Sequence, residues 1–227
     1  MNSCPNLIQH VLPEACLLCA GIATERSLCS ACYQSLPWLS AERCPQCALP
    51  VPGGAICGAC RRDAPRYARS SAAFAYAWPL AALIQQYKYA GNLALATLLA
   101  EAMLDRLVER ADLIIPMPLT LARLRSRGFN QALELARVVS RRTGIALAPH
   151  ACRRVRDGTP QALLPWSERA RNVRGAFVCD ANLAGKRVAV IDDVMTTGAT
   201  LNELARNLLR AGALEVFGWM VARTLPT

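Results

Sequence analysis

Residues 188–191, VAVI, form an apolar run with no polar alternation, the pattern of a strand buried on both faces of a parallel sheet. Asp192 and Asp193 end it. Leu201, Leu204, Ala205, Leu208 and Leu209 then recur at helical spacing as far as Gly212. Residues 112–118, DLIIPMP, read as a second buried strand broken by two prolines, with a helix following over 132–142. Residues 80–89 place Leu83, Ile84 and Tyr87 on one helical face, and 93–110 read as an Ala/Leu-rich helix with Leu98, Ala102 and Leu107 inward. Residues 72–78 alternate as an edge strand would, and 215–222 supply a last strand that closes the sheet. Strands alternating with helices in this way predict an α/β domain, a parallel sheet flanked by helices.

The first sixty residues follow a different rule. Nine of the eleven cysteines lie there, eight of them as C-x-x-C pairs: Cys16/Cys19, Cys29/Cys32, Cys44/Cys47 and Cys57/Cys60. The spacing C-x2-C-x9-C-x2-C occurs twice, offset by 28 residues, which is an internal repeat. Each C-x-x-C turn aims two thiolates at one point, and two turns complete a tetrahedral Cys4 zinc site. With four protein ligands no position remains for substrate, so the metal is structural. A module this short and poor in large apolar side chains needs it to fold. The repeat favours pairing the first turn with the second and the third with the fourth, while a cross-braced arrangement stays open. Cys4, Cys152 and Cys179 lack the paired spacing. The expected organisation is a zinc module over residues 1–65 and an α/β domain over 66–227, joined by a linker at 61–71.

Composition changes this picture in two respects. Of 26 basic residues 24 are Arg, and the formal net charge is +10. Twelve Arg against Glu134, Asp157 and Glu168 lie between positions 120 and 175, a local balance of +9 that suits a polyanion, either a pyrophosphate or a nucleic-acid backbone. No apolar run approaches the roughly 20 residues of a membrane span. The first residues lack the basic and apolar regions of a signal peptide, so the expectation is a cytoplasmic protein.

The chemistry concentrates after residue 188. Ligands of open α/β sheets sit beyond the carboxyl ends of the strands. There the chain delivers Asp192 and Asp193, then Thr196, Thr197, Gly198, Ala199 and Thr200 at the start of a helix. Backbone N–H groups and hydroxyls at a helix N-terminus suit a phosphate, and Gly198 allows close approach. Two carboxylates accept from vicinal sugar hydroxyls or, through them, meet Mg²⁺. Phosphate and diol together describe a ribose 5-phosphate. The loop after the second strand carries Arg127-Gly128-Phe129-Asn130-Gln131, where Arg127 has the bidentate geometry for phosphate; Arg123 and Arg125 fit a solvated surface equally well. Residues 149–177 form a long irregular stretch, the usual mark of a mobile binding loop, and Gln161, Arg169 and Asn172 within it are expected to order on ligand binding.

Residues 188–200 resemble the phosphoribosyl pyrophosphate (PRPP) signature of type I phosphoribosyltransferases. That resemblance implies that Asp192 and Asp193 take the ribose hydroxyls, that residues 196–200 cradle the 5′-phosphate, and that the loop bearing Arg127 and Gly128 holds the pyrophosphate, with Mg²⁺ accompanying PRPP. The order P-M-P-L, R-x-R-G-F-N-Q-A, R-x-N-V-x-G-A-F and V-I-D-D-V-M-T-T-G-A-T behind paired C-x-x-C motifs resembles the ComF family (ComFC and GntX type) across nearly the whole chain. Lys88-Tyr89 before Gly91 also resembles a family feature, although a basic residue closing a helix is as good a reading.

The ComF resemblance implies a double zinc ribbon before a phosphoribosyltransferase-like domain, and a role in competence or use of DNA. Single-stranded DNA is then the expected partner, with the DNA-uptake machinery beside it; Phe129 and Trp166 are aromatics near the Arg-rich surface that could stack bases, although each reads more readily as a core residue. Two alternatives remain: a phosphoribosyltransferase acting on an unknown acceptor, and a zinc-dependent scaffold with a regulatory PRPP site. Binding does not imply turnover, and neither Cys152 nor Cys179 stands in a catalytic triad pattern.

Overall fold

The computed structural model describes residues 15–23, 27–107, 109–156 and 173–226. Five parallel strands form the central sheet: β1 (Arg69–Ala75), β2 (Leu113–Pro116), β3 (Ala146–Leu147), β6 (Arg187–Met195) and β7 (Glu215–Arg223), in the order β1-β7-β6-β2-β3. β4 (Cys152–Arg154) and β5 (Phe177–Cys179) make a separate antiparallel pair. Helices α3 (Leu80–Tyr89), α4 (Ala94–Leu104) and α6 (Gln131–Thr143) carry the larger core, while α7 (Ala199–Arg210) packs into a second one.

The apolar run of β6 explains why both faces are covered. Val188 and Val190 belong to the core that holds α7, and Ala189 and Ile191 to the core of α3, α4 and α6, all four fully buried. Burying each such Val or Ile contributes about 1.5–3 kcal/mol. The strand does not stop before the acids, as its apolar run suggests, but continues through them to Met195. α3 forms over the expected residues with Leu83, Ile84 and Tyr87 buried. α4 ends at Leu104, short of the expected 110, with Leu98 and Ala102 buried.

Strand order was not readable from local pattern. The last strand does not close the sheet at an edge; β7 lies between β1 and β6. β1 is the edge, three residues earlier than the alternation suggests. Its outer side is occupied by the N-terminal module: Leu39 N–H donates to the Ala73 carbonyl at 2.9 Å and Ala75 N–H to the Pro37 carbonyl at 2.8 Å. Trp38 stacks on Phe74 with ring centroids 4.3 Å apart. An exposed parallel edge would template aggregation, and this module covers it.

The presumed linker at 61–71 is not an independent tether. Arg69–Ala75 already forms β1, Tyr67 is buried, and Arg66 N–H donates to Asn202 Oδ1 on α7 at 2.6 Å. Among the described residues no helix is long and apolar enough to cross a membrane.

Candidate functional site

The topology fixes where a ligand can sit. From β2 the chain moves outward to β3; from β6 it moves the other way to β7, and β2 and β6 are neighbours. The loops leaving β2 and β6 therefore diverge at one point, the switch point at which open α/β sheets open a crevice. A cleft of about 490 Å³ lies there. Asp192, Asp193, Thr196, Gly198 and Thr200 line one side, and Arg123 and Arg127 come from α5 (Leu121–Arg127), the short helix after β2. Lys88 and Tyr89 of α3 and Arg154 of β4 complete the polar wall.

Three of the residues singled out by sequence are not among those lining the cleft. Thr197 turns inward on its own loop, its hydroxyl accepting the Ala199 N–H at 3.2 Å. Ala199 is the first residue of α7. Gly128 ends α5 (Leu121–Arg127) in the left-handed region at φ 81°, its N–H donating to the Leu124 carbonyl at 2.8 Å. Gln161, Trp166, Arg169 and Asn172 lie outside the described residues.

The R-G-F-N-Q sequence is a built connection between two helices. Asn130 caps α6 by accepting from Ala132 and Leu133 N–H, and its amide donates to the Met117 carbonyl at 3.1 Å, tying the loop to the end of β2. Gln131 is buried and accepts from Arg127 Nη1 at 2.5 Å, while the Arg127 guanidinium stacks on the Tyr89 ring. Arg127 is thus oriented at the cleft rather than left waving in solvent. Phe129 packs on Tyr87, ring centroids 5.8 Å apart, so it faces the core instead of offering a base-stacking surface.

The acid pair is electrostatically asymmetric. Asp193 is buried and forms an ion pair with Lys88 Nζ at 2.7 Å. Burial works against the Lys88 charge, yet the facing Asp193 carboxylate outweighs it and the Lys88 pKa is raised. Among the described residues Asp192 forms no such ion pair, and the Lys88 charge nearby only partly offsets its burial. Desolvation, reinforced by the Asp193 charge, pushes it from an ordinary 3.8 up to about 8. The sequence marks Lys88 only through the Lys88-Tyr89 resemblance, with a helix-closing lysine as an equal reading; its pairing with Asp193 is not readable because that partner lies on a distant strand.

The sign of the pH effect follows from Asp192. An unfolded chain releases this proton near 3.8, whereas the folded chain keeps it to about 8, so between these values the folded state binds more protons and stability falls as pH rises. Asp192→Asn should abolish that slope and make the protein more stable than the parent by about 1–2 kcal/mol at alkaline pH. Urea denaturation at pH 5 and pH 9 measures it; an equal difference at both would contradict the assignment.

Gly198 is required twice. Its φ is 82°, and a Cβ there would stand 2.9 Å from Tyr67 Oη. Gly198→Ala should cost about 1–3 kcal/mol, and Tyr67→Phe, which removes that oxygen, should recover part of it in the double variant. Denaturant midpoints of the four proteins give the coupling.

The cysteines form two separate clusters, Cys16/Cys19/Cys29/Cys32 and Cys44/Cys47/Cys57/Cys60, the sulfurs of each within 4.8 Å of one another. This is the sequential pairing, not the cross-braced one. Cys19 and Cys29 sulfurs are 3.8 Å apart, and Cys47 and Cys57 sulfurs 3.6 Å apart. A tetrahedral zinc with bonds of about 2.3 Å sets sulfur edges near that length. Both clusters fit structural Zn²⁺. Cys152 and Cys179 face each other across the β4–β5 pair and belong to neither cluster.

Comparison with known proteins agrees with this division. Residues 7–61 match the family described as double zinc ribbon domain. The chain is 32% identical over 225 residues to the DNA utilization protein YhgH of Salmonella typhimurium (strain LT2), covering 94% of this chain and 99% of that protein. It is 32% identical over 222 residues to competence protein F of Haemophilus influenzae, covering 92% and 96%. A purine phosphoribosyltransferase from Pyrococcus horikoshii Ot3 overlaps 60% of this chain and 85% of that one at 22% identity, with a TM-score of 0.33, too loose a likeness to add to the strand order above. End-to-end correspondence with the competence and DNA-utilization proteins, behind a double zinc ribbon, makes this chain a member of the ComF family.

Proposed function

We propose that the cleft binds PRPP together with Mg²⁺ and that the protein, acting in the cytoplasm, couples this to handling single-stranded DNA in DNA uptake or utilisation. One observation carries the ligand: two adjacent carboxylates, a Thr/Gly loop opening α7 and an oriented arginine share one cleft at the sheet's switch point. Asp192 and Asp193 accept the ribose hydroxyls. The loop 196–200 offers the 5′-phosphate its hydroxyls, its backbone N–H groups and the positive end of the α7 dipole, Thr197 and Ala199 contributing through the backbone. Arg127 and the turn at Gly128 serve the pyrophosphate, which Mg²⁺ neutralises when bound. The DNA half rests on the relatives' names, competence protein F and DNA utilization protein YhgH, and on the Arg-rich segment. We place the boundary between zinc module and ligand domain near residue 65.

A second reading, transfer of ribose 5-phosphate to an acceptor, is favoured by the extent of the cleft. It continues past the acids to Tyr76, Gln85 and Tyr89, where an acceptor would have room. Calorimetric titration of the zinc-loaded protein with PRPP and Mg²⁺ tests the binding step. Saturable one-to-one binding is expected, and no heat with no competition by ribose 5-phosphate would refute it. Release of pyrophosphate on adding candidate acceptors would move the protein to the second reading.

A further inference from the structure

Arg223 ends β7 and is 1% exposed, yet no carboxylate pairs with it among the described residues. Its guanidinium instead donates to four backbone carbonyls. Nε reaches Cys47 at 2.7 Å, and Nη1 reaches Met195 at 3.0 Å, Thr224 at 2.8 Å and also Thr196. A buried cation without a counter-ion is costly. Here the compensation comes from carbonyl dipoles and from the second Cys4 cluster beside it, which with four thiolates on one Zn²⁺ carries a net double negative charge.

Three of these contacts join two places that sequence keeps far apart: the C-x-x-C turn at Cys47 and the first residues of the ligand loop. A trans peptide points its N–H opposite to its C=O. Holding the Met195 and Thr196 carbonyls on Arg223 therefore turns the N–H groups of Thr196 and Thr197 away from the guanidinium, the disposition needed for donation to a ligand. The same side of the sheet carries a second brace. Tyr67 lies against Gly198 and packs with Leu39 and Ala48, and Ser70 is bonded to the Pro45 and Gln46 carbonyls. The first cluster is placed differently: Cys16, Leu28 and Leu36 join the core of α3 and α4 on the other face.

We infer that Arg223 is a positioning residue that ties the ligand loop to the second Cys4 cluster, so that metal in that cluster, and not in the first, sets the order of the loop and its grip on a phosphorylated sugar. The ligand part rests on the PRPP reading above; the mechanical part does not.

The test uses the full chain loaded with zinc, and reads deuterium exchange over residues 194–200 alongside PRPP affinity and zinc content. Arg223→Met should keep two zinc ions but raise exchange in this segment and weaken PRPP, each about ten-fold, a usual size for coupling between sites. Arg223→Lys, which keeps the charge but loses the fork of donors, should fall between Arg223→Met and the parent. Cys57→Ser should reproduce the loosened loop, while Cys29→Ser should lose its own metal and leave residues 194–200 unchanged. That contrast decides the matter even if Arg223→Met does not fold. Exchange in 194–200 that is unaltered by both Arg223→Met and Cys57→Ser, or raised equally by Cys29→Ser, would overturn the inference. If the parent takes no PRPP at all, the ligand reading falls alone, and the exchange contrast still judges Arg223.

Discussion

Asp192→Asn combined with Asp193→Asn should lower PRPP affinity by roughly 100-fold or more while both Cys4 clusters keep their metal. A charge-assisted hydrogen bond to Asp193, contributing about 1.5–3 kcal/mol, and a neutral one to Asp192, which keeps its proton to about 8 and contributes about 0.5–1.5 kcal/mol, are lost together. The second substitution has a further consequence, because Asp193 is the ion-pair partner of a largely buried Lys88. Removing one member of a buried pair leaves the other charge uncompensated, at a cost of about 3–5 kcal/mol. The double variant should therefore melt earlier than the parent, and loss of binding by itself would be ambiguous. Adding Lys88→Met resolves this. The triple variant should recover most of the stability and none of the PRPP affinity. Calorimetry and thermal unfolding on the three proteins measure both quantities. Restored binding in the triple variant would mean that the carboxylates act only by keeping the fold, not by holding the sugar.

Zinc withdrawal should have the largest effect on stability, and it should reach beyond the N-terminal module. Folding of the ribbons depends on their metal, since among its described residues the segment from residue 15 to 62 has only two short α-helices, α1 (Ser30–Gln34) and α2 (Gly58–Arg62), and one 3-10 turn at Pro52–Gly54. The segment around 37–39 supplies the outer hydrogen bonds of β1, and Trp38 covers Phe74. Stripping both metals with a strong chelator should lower the melting temperature of the whole chain by roughly 10 °C or more, as a loss of several kcal/mol implies, and the unpaired β1 edge should promote aggregation. Metal analysis should return two zinc ions per chain before treatment. Unchanged melting of the sheet domain after complete removal would show that the ribbons are an appendage.

What could be read in advance follows from how far each feature depends on distant residues. β6 and α7 are legible because an unbroken apolar run and a clean helical repeat are local signals, and the spacing of the eight cysteines declares Cys4 sites and favours sequential pairing, while the choice against a cross-braced arrangement needs the fold. The turn at 127–131 is legible as a loop that brings an arginine to the strand ends, and Phe129 is legible as a core aromatic in preference to a stacking surface, but its partner Tyr87 is not, because it comes from α3. The order of β7 and β1 is set by pairing across the whole domain, and nothing inside either segment states it. Lys88, marked only by resemblance, and Tyr67 and Arg223, which nothing local marked, share one reason why their roles could not be read. Each is a single polar or aromatic residue at the end of an element or in an irregular stretch, and each acquires its role only from carboxylate, glycine or carbonyl partners brought to it by the fold. Strand ends with a lone arginine normally meet solvent; this one meets four carbonyls.

The most direct measurement is the affinity of the zinc-loaded protein for a single-stranded oligonucleotide at fixed salt, with and without saturating PRPP and Mg²⁺. Salt must be fixed because phosphate contacts alone shift such affinities by orders of magnitude. The account predicts that PRPP changes oligonucleotide affinity by roughly 5-fold or more, that the oligonucleotide changes PRPP affinity by the same factor, as linkage demands, and that Asp192→Asn with Asp193→Asn removes the effect. Oligonucleotide affinity that is identical with and without bound PRPP would contradict it.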